Sequence, residues 1–223
     1  MSTTSKLNLD ELASSIVRCF PTLSLVEQRL SLELYRLLAD GQPVPRTALA
    51  ERLEVSIETV NRILDGWPGV FSDNERRIVG YWGLSIPIAY KSPHTLKMNG
   101  RTLSAWCAWD TLFLPELIGH AAEIESVGPA ASGTVRLTVA PERVERVEPA
   151  GAQMSFLLPN ALEVQRDVVT SFCHFVHFFT SRQVGESWAA KHAGTFLLSI
   201  HEAYVLAHLK NEAQYREVPR RSS

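Results

Sequence analysis

LSAWCAWD, residues 103–110, sets a thiol between two tryptophans and a carboxylate three residues after it. In so apolar a setting Cys107 and Asp110 are open to metal ligation, nucleophilic catalysis, proton transfer or plain packing. If CAWD is helical, the two are neighbours on one face at i and i+3. Cys173 stands in a second apolar run, SFCHFVHFF, residues 171–179. It follows Cys107 by 66 residues, so only tertiary folding can join the two thiols. Spacing alone leaves both cysteines readable as small buried hydrophobes.

Several catalogue chemistries are absent. There is no CxxC pair, no glycine-rich phosphate loop and no dinucleotide fingerprint. Cys173, His174 and His177 lack the paired ligand spacing of a structural zinc site. Those histidines read as core or strand-edge side chains. No sequence neighbour marks any cysteine as the partner of an activating base. Three cysteines at wide spacing, Cys19 included, make a poor disulfide framework and are expected as thiols.

The 223 residues allow one large domain or two small ones, and 45% hydrophobic content is enough for a sizeable core. A net charge of -2 offers no field that would favour nucleic acid or an anionic membrane. MSTTSKLNLDELASS lacks the apolar stretch of a signal peptide. The apolar stretch near 196–209 is interrupted by His201, Glu202 and His208, so no bilayer span is expected. A cytoplasmic protein without membrane or nucleic-acid partners is the expectation, as a monomer or weak dimer.

The elements that must position these residues fall into two parts. Leu9, Leu12, Ile16 and Val17 follow helical spacing over 9–19, before Pro21. Ser24 to Glu27 is a capping-box pattern, and Gly41 is suited to end the helix it opens. Thr47 and Ser56 are placed to cap ALAERL and IETVNRILD, with Gly66 as the second stop. VF at 70–71, a polar turn and the alternating IVGYWGLSI, read as one strand, complete a winged-helix pattern. Residues 46–66 carry Arg46, Arg52 and Arg62 against Glu51, Glu54, Glu58 and Asp65, which argues against DNA contact and for a scaffold.

From Leu84 onward Asn99-Gly100 predicts a hairpin. A helix is expected over 106–118, kinked at Pro115 and ended by Gly119. Strands are expected at 121–127, 134–139, 144–148 and 152–158, with 171–179 a buried central strand that puts Cys173 on one face with Phe175, His177 and Phe179. Helices at 186–192 and 196–210 close the chain, and REVPRRSS is expected to lack fixed structure. The fold class is therefore α+β. A winged-helix-like helical domain, 1–83, precedes a mixed, mainly antiparallel sheet domain with flanking helices, 84–223.

WCAWDTLFLPELIG resembles the region of the first catalytic cysteine in bacterial organomercurial (alkylmercury) lyases. SFCHFVHFF resembles the segment of their second. VEPAG (147–151), WAAKH (188–192), SIHEA (199–203) and GQPVPRTALAERLE extend the similarity from about Leu30 to Leu206. The resemblance implies cleavage of carbon–mercury bonds, with Cys107 and Cys173 as mercury-binding thiols and Asp110 as the acid, all three in reach of the metal. It implies no resident cofactor, since mercury arrives in the substrate, and free thiols for product release. Cellular thiols or a mercuric reductase would accept Hg(II). Relatives can carry further cysteines where this chain has His174 and near Gly128; neither position touches the trio. Cys19 matches nothing and is given no role.

The chemistry suits the assignment. Hg(II) is very soft and thiolate is the softest protein ligand. A second thiolate weakens the Hg–C bond, and the departing carbanion needs a proton. Asp110 among Trp106, Trp109, Leu112 and Phe113 is suited to hold it, because apolar surroundings raise a carboxyl pKa. Two other readings stand beside the lyase. One is a winged-helix thiol sensor that binds DNA through 56–65 and mercury through Cys107 and Cys173. The other is an inactive relative that only binds mercury. The sensor has no obvious use for Asp110.

Overall fold

A computed structural model describes residues 8–20 and 22–218. Pro21, residues 1–7 and the last five residues of the REVPRRSS tail lie outside the described residues.

The N-terminal part is helical, and its caps are local. Asn8 Oδ1 accepts the N–H groups of Asp10 and Glu11 to open α1, Leu9–Val17. In α2, Leu25–Leu38, the Glu27 carboxylate accepts the Ser24 N–H at 2.8 Å, the reciprocal half of a capping box. Helices α3, Arg46–Leu53, and α4, Ile57–Gly66, follow, with Ser56 Oγ capping the latter at the Thr59 N–H. Arg46 is bound to Asp65 at 2.7 Å and Arg52 lies 3.4 Å from Glu33. Two of the three arginines of this segment are thus engaged within the protein.

Strand β1, Val70–Ser72, turns into β2, Ile78–Tyr81. The expectation of one strand over IVGYWGLSI is corrected here. Trp82 and Gly83 adopt positive φ (26° and 92°), so the chain folds back into β3, Leu84–Ser85. Beyond it, β4, His94–Met98, and β5, Arg101–Ala105, form the hairpin expected of Asn99-Gly100, both at positive φ. Strands β6, Ala122–Val127, β7, Thr134–Ala140, and β8, Arg143–Glu148, complete an antiparallel sheet in the order β1-β2-β3-β5-β4-β6-β7-β8. Its pairing is continuous from β2 through β3 to β5, across residue 84. A second antiparallel sheet, β10-β9-β11, joins Phe178–Phe179, Gln153–Leu157 and Thr195–Ser199.

The remaining helices are α5, Asp110–Ile118, α6, Ala161–Ser171, α7, Arg182–Ala189, and α8, Ile200–Gln214; α7 packs on the small sheet and α8 touches strands of both. The architecture is mixed α+β with mainly antiparallel sheets. Three further expectations are corrected. Residues 171–179 are no single strand: α6 ends at Ser171, Cys173–Phe175 form a 3-10 turn, and only Phe178–Phe179 pair as β10. Cys173 therefore shares no strand face with Phe175, His177 and Phe179. Asn160 caps α6, and Asp167, itself non-helical, recaps it at the Thr170 N–H, so local capping competes with extension. Uniform apolarity could not show this, because a buried run looks alike as strand or as helix. The helix expected over 106–118 begins only at Asp110, which leaves Cys107 in the turn before it. The first residues of the 196–210 helix are strand β11, because Ser199 and Glu202 form the capping box that starts α8. Among the described residues no helix is long and apolar enough to cross a membrane.

Candidate active site

Cys107 follows β5 on a tight turn. Its own N–H donates to Asp110 Oδ2 at 2.7 Å, so the carboxylate at the start of α5 folds back over the cysteine. The flanking tryptophans are anchored on opposite sides. Trp106 Nε1 donates to Ser85 Oγ at 2.7 Å, and Trp109 Nε1 donates to the Ala203 carbonyl of α8 at 3.0 Å. Trp109 is 1% exposed and meets Phe113, Phe156 and Phe172 edge to face. The apolar character of WCAWD is thus structural, and it holds the turn rigid.

Cys173 reaches the same place by a main-chain bridge. The Ala108 N–H donates to the Val176 carbonyl at 3.1 Å, and the Val176 N–H donates back to the Cys173 carbonyl at 3.1 Å. Ser155 of β9 fixes the far side, its Oγ donating to the Phe175 carbonyl and accepting the His177 N–H. The result is that Sγ of Cys107, Sγ of Cys173 and a carboxylate oxygen of Asp110 lie within 4.8 Å of one another. All three residues proposed from the sequence converge. Cys19 does not join them: its thiol donates to the Ser15 and Pro159 carbonyls. His174 is exposed, and His177 packs against Trp188 and stacks on His94.

The trio is dry. Cys107 is 0% exposed, Cys173 4% and Asp110 6%. Burial pushes the Asp110 carboxyl up to about 6, against hydrogen bonds from Cys107 that favour its charged form. Burial also pushes the Cys107 thiol well up, and its hydrogen bond to Cys173 adds to this. For Cys173 the largest influence, that same hydrogen bond, favours the thiolate. Burial and the nearby Asp110 and Asp167 charges outweigh it, and the thiol is still raised. Each thiol also has a backbone hydrogen bond that favours its thiolate, from Asp110 for Cys107 and at Cys173 itself, and in both burial prevails.

A narrow aromatic-walled cleft, whose enclosed space of about 20 Å³ is little more than one water molecule, opens onto this group. Cys173 and Asp110 line it, while Cys107 lies behind them. Gly83 and Lys210 are among the wall residues that sequence reasoning missed. Gly83 crosses so close that a Cβ there would sit 2.6 Å from Asp110 Cγ. Lys210 of α8 is 2% exposed and forms the inner wall. A signal existed for Lys210: Ala203, Leu206, Ala207 and Lys210 follow the i, i+3, i+4, i+7 stripe, which puts a lysine on an apolar helix face.

Chemically, two soft sulfurs and a carboxyl that can hold a proton near neutrality suit capture of a soft metal coupled to proton delivery. Comparison with known proteins agrees with that reading. The alkylmercury lyase family model matches residues 89–210. An alkylmercury lyase of Pseudomonas putida is 41% identical over 180 residues, covering 81% of this chain and 82% of the relative. One from Staphylococcus epidermidis is 34% identical over 212 residues, 94% of either chain. A solved structure described as the mercury-bound form of MerB2 superposes with a TM-score of 0.70 over 92% of this chain and 98% of its own, at 21% identity, and so bears on the fold. With relatives above 30% identity along most of its length and a family model over the segment that holds both cysteines, the chain belongs to the alkylmercury lyase family.

Proposed function

We propose that this organomercurial lyase cleaves carbon–mercury bonds by protonolysis at Cys173, Cys107 and Asp110. The observation that carries the reading is the convergence of two buried sulfurs and one carboxylate within 4.8 Å. Cys173 faces the cavity and captures first: its thiolate displaces X from R–Hg–X, and its proton leaves with X. Asp110, ionised above about pH 6, takes the Cys107 proton through their contact. The Cys107 thiolate then adds to mercury and raises its electron density. The Hg–C bond breaks as the Asp110 proton moves to carbon. Hydrocarbon leaves, Asp110 is again a carboxylate, and Hg(II) stays on the two sulfurs.

Both the thiolates and the acid come from the chain, so no resident metal or organic cofactor is invoked. Simple dissociation of Hg(II) from two thiolates is slow, so free cellular thiols or a mercuric reductase remove it by exchange. The setting is mercury detoxification in the cytoplasm, by a monomer or weak dimer. Residues 1–83, with four helices and the β1–β2 hairpin among the described residues, are read as a winged-helix-like scaffold for the catalytic part, 84–223. Incubation with methylmercury and excess free thiol should give headspace methane above a no-protein control, by gas chromatography. Mercury binding without methane, and without benzene from phenylmercury, would reject the lyase reading.

Gly83 supplies a sharper check on the site's geometry. An added methyl there meets the Asp110 carboxyl at 2.6 Å, on a backbone at φ +92°. Gly83→Ala should lower hydrocarbon release roughly 100-fold, the scale of a misplacement of about 1 Å. Stoichiometric mercury capture should survive. Turnover at the unsubstituted rate would mean that the Asp110 position is unimportant.

A further inference from the structure

Lys210 is a charged residue in a place where charges are rare. Only 2% of it is exposed, and its Nζ sits 3.9 Å from the centre of the Phe113 ring. Lysine is almost never so buried unless a partner or a task holds it there. Its hydrogen bond runs to Asn211 Oδ1 at 3.1 Å. Asn211 is oriented in turn. Its Nδ2 donates to the Phe113 carbonyl at 3.2 Å and to Glu116 Oε2 at 2.8 Å, which leaves Oδ1 facing the ammonium. Glu116 is held by His208 at 3.1 Å. The ammonium is thus positioned by α5 and α8 together, on the wall of the cavity that Asp110 and Cys173 line.

Charge accounting over the reaction shows what such a cation is for. This step rests on the lyase reading above. In the free enzyme with both cysteines protonated, Asp110 carries one negative charge. After capture and transfer of the Cys107 proton, Asp110 is neutral; two thiolates on R–Hg⁺ again total one negative charge. After hydrocarbon leaves, Hg(II) with two thiolates is neutral and Asp110 carries the charge once more. Before capture, after transfer of the Cys107 proton and after release the site holds one unit of negative charge, and only its location moves. In a dry cavity that charge is costly unless a fixed positive group faces it.

We propose that Lys210 is the countercharge of the dithiol–carboxylate centre, a positioning residue that stabilises the migrating negative charge and so speeds hydrocarbon release. Burial draws the Lys210 ammonium down to about 7, while Asp110 and Glu116 hold it up, so the cation depends on these acids. The group acts without moving, which is how preorganised electrostatics lowers a barrier.

The test is single-turnover methane release from protein loaded with one equivalent of methylmercury, with bound mercury followed by mass spectrometry. Lys210→Met keeps the volume and removes the charge. It should capture methylmercury fully and release methane roughly 10- to 100-fold more slowly, the scale of one buried charge acting on another. Lys210→Ala leaves a space for a small amine. Its release should be partly restored by ethylammonium and left unchanged by ethanol, which fills the space without a charge. Release from Lys210→Met at the wild-type rate would overturn the inference, as would equal rescue by ethanol. Wild-type protein that yields no hydrocarbon would instead remove the lyase reading, and this inference with it.

Discussion

Cys107→Ala and Cys173→Ala each bring hydrocarbon release down to the no-protein background, but they should fail at different stages. Only Cys173 lines the cavity, so Cys107→Ala still captures one equivalent of organomercurial and stops there. The carbon stays on mercury because the second thiolate is missing. Cys173→Ala loses rapid capture itself, since Cys107 is 0% exposed and its thiol is held well up by burial. Members of a reacting unit are not additive, so the double variant should be no worse than Cys173→Ala. Each substitution deletes one buried sulfur, at roughly 1–2 kcal/mol, too little to unfold the domain. Headspace hydrocarbon and bound mercury, measured together, separate the two stages. Retained turnover in either variant would defeat the two-thiol mechanism.

Asp110→Asn should capture the organomercurial and hold it. Asparagine has a similar shape and still offers an oxygen to the Cys107 N–H, but it cannot carry a proton from sulfur to carbon. Hydrocarbon release should fall roughly 10²–10⁴-fold, the usual contribution of a positioned acid–base group. Unchanged release would place the proton source elsewhere.

The same variant makes a stability prediction with a definite sign. The Asp110 carboxyl is raised to about 6 in the folded chain, against an unfolded value of about 3.9. The folded state therefore binds this proton more tightly. Its contribution to stability is fully present below about pH 4 and is lost as pH rises through about 6, to the extent of up to about 3 kcal/mol. Between pH 4.5 and 7.5, urea denaturation should show the wild type losing roughly 2 kcal/mol relative to Asp110→Asn, the opposite contribution of buried His94, held down to about 3, being common to both. Equal pH dependence in both would mean that burial does not penalise this carboxylate.

Parts of the fold were legible because their causes are local. The Asn99-Gly100 hairpin, the Ser24–Glu27 cap and the Gly119 stop each rest on a few adjacent residues whose backbone preferences have one good solution. The breaks that sequence reasoning passed over were also short, but tertiary contacts decide them. The Trp82–Gly83 turn is held by Tyr35 of α2, whose hydroxyl donates to the Trp82 carbonyl at 2.9 Å. The run 171–179 is apolar throughout, so its pattern carries no period. Its turn at Cys173–Phe175 follows from the bonds that Ser155 and Ala108 make to it.

The residue types at the centre belong to the sequence. Two thiols and a carboxyl, in segments that resemble one family, named the chemistry before any coordinates. By itself the sequence determined what the site is made of, because softness, nucleophilicity and acidity are properties of side chains. Tertiary structure decided their arrangement: which sulfur lines the cleft, how far Asp110 is desolvated, and that Gly83 and Lys210 close around it. Those are properties of distance and dielectric, and they arise only when residues far apart in the chain exclude water from the same few cubic ångströms.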